Sequence, residues 1–101
     1  MIAVKVGDVG TELVFIIRDQ DGKVVDLSQA VSVTLVMRLG DTRLERTCDI
    51  LPPASEGRVR YRVAAGDLAS AGSLYMEVRV QFADGRTFTS NRITQVVEER
   101  L

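Results

Sequence analysis

Apolar and polar residues alternate along most of this chain with a period of two. The alternation is clearest in the stretches 58–63 (RVRYRV) and 74–82 (LYMEVRVQF). Successive side chains of a β-strand point to opposite faces, so each stretch predicts a strand with one apolar face toward a core. Between them, Asp67 begins the sequence DLASAG, which predicts one short helical turn near 67–71, capped by Asp67 and ended by Gly72.

The same alternation predicts further strands, and turn-forming residues separate them. The predicted strands are 2–6, 11–18, 30–39, 42–51 and 86–97, the last interrupted at 90–91 by a bulge or a switch of sheet. The predicted turns and loops are DQDG at 19–22, GD at 40–41, PPASEG at 52–57 and ADG at 83–85. Many short strands without a long helix predict an all-β fold, an antiparallel β-sandwich of about seven strands.

The stretch 11–18 differs from the others because it is apolar on both sides. Leu13, Phe15 and Ile17 can face a core, while Val14 and Ile16 lie on the opposite face. This pattern favours either a central strand or coverage by a partner. The second face, extended by Val36 of the stretch 30–39, is therefore a candidate interface, and ordinary exposed aliphatic residues are the alternative.

Polar chemistry offers a second candidate interface. Arg58, Arg60 and Arg62 project to one side of a single strand, and arginine is enriched where protein subunits meet. The alternative is a solvated outer face whose arginines pair with acidic neighbours. Tyr75 is the one further aromatic side chain expected on a surface, and we include it among the candidate interface residues.

Composition excludes several classes of function. The 101 residues form one domain, 1–101, with 46% apolar and 5% aromatic residues and a net charge of −1. Such balanced charge gives no global attraction for nucleic acid or anionic membranes. The N-terminus lacks the pattern of a signal peptide, and no apolar stretch is long enough to span a membrane.

Catalytic and metal-binding groups are also scarce. The chain has no histidine and a single cysteine, Cys48, which we interpret as a small buried apolar residue. Asp19, Asp21 and Asp26 do not have the spacing of a calcium-binding loop, and a turn explains them better. We therefore predict a protein that is not an enzyme, with no cofactor, no metal and no small-molecule substrate.

The stretches GDVGTELVFIIRDQDGKVVDLSQAVSVTLVMR and GRVRYRVAAGDLASAGSLYMEVRVQFADGRTFTS together resemble the immunoglobulin-like domain at the N-terminus of phage baseplate upper proteins. The resemblance covers roughly 7–98, and its most telling pieces are DQDGKVVDL, AGDLASAGSLY and FADGRT. Antibody-type domains differ: Leu74 stands where those domains place a corner tyrosine, and Met76 where they place the second cysteine.

The resemblance implies an immunoglobulin-like sandwich and a non-enzymatic structural role in the virion of a tailed phage or prophage, in the tail or baseplate region. The implied partners are other virion proteins, met by repeated copies in a symmetric assembly, after synthesis in the bacterial cytoplasm. In that family the domain typically begins a longer chain, whereas this sequence stops at Leu101. Three alternatives follow: a capsid decoration protein, a fibre-attachment protein, and a stand-alone module that binds carbohydrate or the host surface.

Overall fold

The computed structural model describes residues 4–100, and they form an all-β sandwich of two sheets. This confirms the fold class predicted from the alternation. Nine strands are formed within the described residues, against the predicted seven or so, and three of the nine are no longer than three residues. The strands are β1 (Val4–Lys5), β2 (Glu12–Ile16), β3 (Ala30–Leu39), β4 (Thr42–Thr47), β5 (Asp49–Ile50), β6 (Arg58–Arg62), β7 (Gly72–Phe82), β8 (Thr87–Thr89) and β9 (Ile93–Glu98).

The larger sheet is built around β7 and β3, the two longest strands. Its order is β1-β9-β7-β3-β4, with β8 also paired to β7. Tight turns at Gly40-Asp41 and Ala83–Gly85 join β3 to β4 and β7 to β8, as predicted. All the pairings in this sheet are antiparallel except β1 with β9, which is parallel. The sheet is therefore mixed and not purely antiparallel as predicted, because the N-terminal strand lies beside the C-terminal one and runs in the same direction.

The smaller sheet contains three strands in the order β2-β6-β5. The doubly apolar strand β2 is therefore an edge strand, and the prediction that it is central is wrong. Its partner β6, which carries the arginine row, occupies the centre. The two apolar faces of β2 arise because one packs on the core and the other remains exposed, so coverage by a partner is the interpretation that stays open.

The chain passes directly from one sheet to the other at Cys48, the single residue between β4 and β5. Its backbone N–H donates to the carbonyl of Val33 at 2.9 Å, and the side chain is buried. The 52–57 loop then leads into β6 through a single 3-10 turn, Ala54–Glu56. Gly57 ends that turn at φ 66°, where a Cβ would come within 2.7 Å of the Val25 carbonyl oxygen, so only glycine fits.

The core lies between the two sheets and consists of the inward sets that the alternation predicted. Val59 and Tyr61 of β6 face Leu35, Val78 and other residues of the larger sheet, and all four are buried. Leu68, from the connection between β6 and β7, is also buried within this cluster. Aliphatic residues fill the core, as the low aromatic content requires.

Two local predictions need correction or completion. Residues 65–68 form a turn and not the helical turn expected near 67–71, because the Asp67 side chain is buried and bonded elsewhere. The interruption at 90–91 is a bulge and not a switch of sheet: β8 and β9 both pair with β7, and the five residues from Thr89 to Ile93 oppose the four from Arg79 to Met76. Ile2 of the predicted first strand lies outside the described residues.

Candidate protein interface

The arginine row lies on the outer face of the smaller sheet, and every member is paired with an acid. Arg62 Nη2 lies 2.8 Å from Glu12 Oε1, and Arg60 Nη2 lies 3.3 Å from Asp49 Oδ2. Arg58 Nη2 lies 3.0 Å from Glu56 Oε2 and also donates to the Pro52 carbonyl. Each arginine of the row is therefore neutralised by an acid of the same chain, and the row is not a free basic patch. This agrees with the alternative of a solvated outer face whose arginines pair with acidic neighbours.

The ion pairs with the arginine row lower the pKa of Glu12. The hydrogen bond that Arg62 donates lowers the pKa of the Glu12 carboxyl, against a smaller rise from desolvation, and the charge of Arg60 lowers it further. The carboxylate is therefore ionised at neutral pH, and the outer face carries both signs of charge in fixed positions. A partner that meets this face would encounter a patterned surface with little net attraction for a polyanion.

Val14 and Ile16 lie on this same face, beside the arginines. In the register of β2 with β6, Val14 is opposite Arg60 and Ile16 is opposite Arg58. Val14, at the middle of β2, is 54% exposed, and Ile16, at its last position, is 51% exposed. Sequence reasoning treated the arginines and the valine–isoleucine pair as two surfaces, and the fold joins them into one, which we call the small-sheet face.

Val36 and Tyr75 do not belong to the small-sheet face. Both lie on the outer face of the larger sheet, where Val36 is opposite Glu77 and Tyr75 is opposite Arg38. The predicted grouping of Val36 with Val14 and Ile16 is therefore wrong. The grouping fails because Val36 is on β3 of the larger sheet, whereas Val14 and Ile16 are on β2 of the smaller sheet. The outer faces of the two sheets point away from each other.

The sandwich is open on the side where β2 faces β9. The Val63 N–H donates to the Thr11 carbonyl, and the Ile17 N–H donates to the Gly57 carbonyl. These two bonds show that the odd-numbered positions of β2 direct their backbone groups toward β6. By the alternation of antiparallel pairing, the backbone groups of Glu12, Val14 and Ile16 point away from β6, along a free edge. No pairing joins this edge to β9 within residues 4–100.

A groove of about 240 Å³ runs between β2 and β9. Its apolar lining comes from Leu13 and Phe15 of β2, with Met76 and Ile93 from the larger sheet. Leu13, Phe15 and Ile93 pack against the core yet remain only partly buried. The open side thus combines a free strand edge with apolar side chains whose burial is incomplete.

The opposite side of the sandwich is closed by a buried carboxylate that sequence reasoning interpreted as a helix cap. Asp67 is only 3% exposed, and it accepts hydrogen bonds from the Tyr61 hydroxyl and, at 2.9 Å, from the Ala64 N–H. Arg46 of β4 donates to it at 3.0 Å and 3.3 Å. The signal in the sequence was Arg46 itself, which stands at an inward position of β4 and from there can reach a buried acid.

These contacts decide the ionisation of the group that we call the Asp67 cluster: Asp67, Tyr61, Arg46 and the Ala64 N–H. Desolvation would raise the pKa of Asp67, but the donors Tyr61, Ala64 and Arg46 outweigh it, so the pKa lies below its usual value. Burial and the neighbouring carboxylate raise the pKa of Tyr61. The cluster is therefore an anionic acceptor held by three donors, with every polar group partnered, and its geometry serves to join the sheets.

Other candidate chemistry is accounted for by local structure. Asp19 Oδ1 accepts hydrogen bonds from the backbone N–H groups of Asp21 and Lys23, which makes it a turn residue. Across residues 4–100, no three acidic or cysteine side chains converge as metal ligands would. Burial, with a smaller effect of Asp49, raises the pKa of the Cys48 thiol to about 11, so at neutral pH it is protonated and a poor nucleophile.

The described part of the chain contains no helix with the length and apolarity needed to cross a membrane. Comparison of the chain with protein-family models, with curated proteins and with solved structures finds no match. The interpretation of the surfaces therefore rests on their geometry.

Proposed function

We propose that this protein is a non-enzymatic building block of a tailed-phage or prophage particle, an immunoglobulin-like adaptor of the tail or baseplate region that acts through contacts with other virion proteins. The resemblance of the sequence to the N-terminal domain of phage baseplate upper proteins supports the virion assignment. The observation that carries the mode of action is the open side of the sandwich, where exposed aliphatic residues border a free strand edge.

The free edge of β2 suits a strand supplied by a neighbouring virion protein. An added strand would pair with the backbone groups of Glu12, Val14 and Ile16, and its side chains would cover Leu13 and Phe15 in the groove. Native proteins usually protect such edges with charges or proline. On β2 the only charged residue is Glu12, at the first position of the strand.

The small-sheet face adds specificity to this contact. Val14 and Ile16 offer exposed apolar area on the edge strand, and the paired Arg58, Arg60 and Arg62 of β6 border it on one side with ordered charges. Interfaces commonly have an apolar centre with a polar rim, and Arg is favoured in them. Repeated copies of the protein would present this face in the same orientation throughout a symmetric particle.

The experiment is incorporation of variants into particles. Purified particles are expected to contain the wild-type protein in many copies by mass spectrometry, and Val14→Asp is expected to lower its copy number at least tenfold. Val96→Asp is the matched control, because Val96 is equally exposed (55%, against 54% for Val14) and lies on β9 with its side chain on the outer face.

Both variants place the charge in water, so both should fold, which thermal unfolding would verify. Absence of the wild-type protein from particles would overturn the virion assignment. Equal incorporation of Val14→Asp and the wild type would leave that assignment intact but overturn the role of the small-sheet face.

A further inference from the structure

We propose that the pocket around Tyr75, on the face of the larger sheet opposite to the proposed interface, binds the carboxylate of a glutamate or aspartate side chain presented by a protein partner. The pocket has a volume of about 200 Å³ and lies across β3, β4, β7 and the residue before β9. Its lining is Val36, Arg38, Arg43, Tyr75, Met76, Glu77 and Arg92.

Two arginines converge on one ring in this pocket. The guanidinium carbon of Arg38 lies 5.3 Å from the centre of the Tyr75 ring, and that of Arg92 lies 5.6 Å from it. Stacking on an aromatic face holds a guanidinium in place while leaving its N–H groups free at the edges. Tyr75 therefore holds both guanidiniums at the wall of one pocket.

These two arginines are among the four basic side chains of the described residues that form no ion pair; the other two, Arg18 and Lys23, lie at the 19–22 turn. Within residues 4–100, nine of the basic side chains form ion pairs, including all members of the arginine row. Neither Arg38 nor Arg92 has an acid within 4.0 Å in that part of the chain. Most cations of the described surface are thus neutralised by an acid, whereas this pocket brings two that are not to one site.

The strand register concentrates the positive charge further. Arg38 is directly opposite Arg43 in the pairing of β3 with β4, and like charges in directly opposed positions are destabilising. The Arg43 guanidinium turns to Glu45, with Nη1 2.7 Å from Oε2. Arg38 and Arg92 keep their positive charges unneutralised in this pocket. An anion bound there would reduce the repulsion among these arginines.

The pocket selects a carboxylate over other anionic ligands. Its volume is below the roughly 300–1,000 Å³ of typical small-molecule sites, so it admits a single group rather than a whole ligand. Glu77 at its wall disfavours a doubly charged phosphate. A sugar would need an uncovered aromatic face for stacking, whereas guanidiniums lie over the Tyr75 ring. A planar carboxylate matches the forked donors of arginine.

The test is a titration of the full chain followed by NMR of backbone amides and arginine Nε–H groups, at low ionic strength. The ligands are N-acetyl-glutamate amide, its glutamine counterpart, acetate, glucuronate and inorganic phosphate, each matched for ionic strength with sodium chloride. We expect the glutamate compound and acetate to shift Arg38 and Arg92 with similar millimolar affinity, and the glutamine compound to shift neither.

Variants sharpen the result. Arg38→Gln and Arg92→Gln should each weaken binding of the glutamate compound at least fivefold, and Glu77→Gln should strengthen it severalfold. Arg18→Gln is the control, because Arg18 is a further arginine without an acid partner in the described residues and lies away from the pocket. All four positions are at the surface, and thermal unfolding would show that each variant is folded.

Three results would overturn the proposal. The first is the absence of any shift at Arg38 and Arg92, or shifts that Arg18→Gln reduces as much as Arg38→Gln does. The second is glucuronate binding more than tenfold tighter than acetate, which would make the occupant an acidic sugar. The third is phosphate binding more tightly than the glutamate compound, which would make it a phosphorylated ligand.

Discussion

The two sides of this sandwich differ in how the sheets are connected. On one side the chain crosses between sheets at Cys48, and the Asp67 cluster joins β4, β6 and the connection between β6 and β7. On the other side β2 and β9 face each other across a groove, with no pairing between them in the described residues. The two sheets are therefore joined by the chain and by side-chain hydrogen bonds on the closed side, and the open side has no strand pairing between them in the described residues.

Two of the edge strands, β4 and β2, repeat this contrast. The edge strand β4 carries Arg43 and Glu45 on its outer face and Arg46 on its inner face, and all three are in ion pairs. The edge strand β2 carries Val14 and Ile16 at the corresponding outer positions. Charges on an edge discourage the addition of another strand. The β4 edge is therefore protected by charges and the β2 edge is not, which is why we propose β2 as the contact edge.

The largest effect is expected on the closed side. Asp67→Ala leaves the buried Tyr61 hydroxyl and the Ala64 N–H without their acceptor, at a cost of about 1–3 kcal/mol each in the free energy of unfolding. The Arg46 side chain is 37% exposed, so water can replace its lost partner. Urea unfolding would measure it. Asp41→Ala, in the exposed turn between β3 and β4, is the control and should be close to wild type. A loss below about 1 kcal/mol would mean that the cluster does not hold the sheets together.

A matched pair of leucines compares the two sides directly. Leu68, in the same connection as Asp67, is 1% exposed, whereas Leu13 on the open side is only partly buried. Leu→Ala changes in cores cost about 2–5 kcal/mol, and we expect Leu68→Ala to fall in that range and Leu13→Ala well below it. Equal losses in urea unfolding would show that the open side is packed as tightly as the rest.

The pH dependence of stability should come in part from the closed side. The folded-state pKa of Asp67 is lowered, so its contribution is present above its unfolded pKa, near 3.8, and is lost as pH falls through the lower folded value. Glu12 and Glu45, whose pKa values are also lowered by arginine, act in the same direction. Thermal unfolding between pH 7 and pH 2 should show wild type losing more stability than Asp67→Asn, and parallel curves would contradict this.

The smallest effect is expected from the exposed ion pairs of both edges. Glu45→Gln removes the partner of Arg43 and Arg79, and Glu12→Gln removes the partner of Arg60 and Arg62. Exposed pairs contribute little because water and salt screen them. Both variants should have unfolding midpoints close to wild type, with the differences vanishing at high salt. A large loss for Glu12→Gln alone would mean that the small-sheet face stabilises the fold.

Local pattern was enough for much of this fold. The inward positions of β3, β6 and β7, the turns at 40–41 and 83–85, and the burial of Cys48 were all predicted and are present. Each depends on strand periodicity or on the backbone preferences of Gly and Asp, which act over a few residues. The candidate residues Val14 and Ile16 were found in the same way, as apolar residues on the face of a strand that points away from the core.

What the sequence by itself determined is thus which residues lie on each face of each strand. Only the tertiary structure decided which strands are neighbours, and therefore that β2 is an edge, that Val14 and Ile16 share a face with the arginine row, and that Val36 and Tyr75 lie on the opposite sheet. The Asp67 cluster is also decided by the tertiary structure, since Arg46 and Asp67 come into contact only when the two sheets pack together. Periodicity is a property of the local backbone, whereas neighbours are chosen by long-range packing.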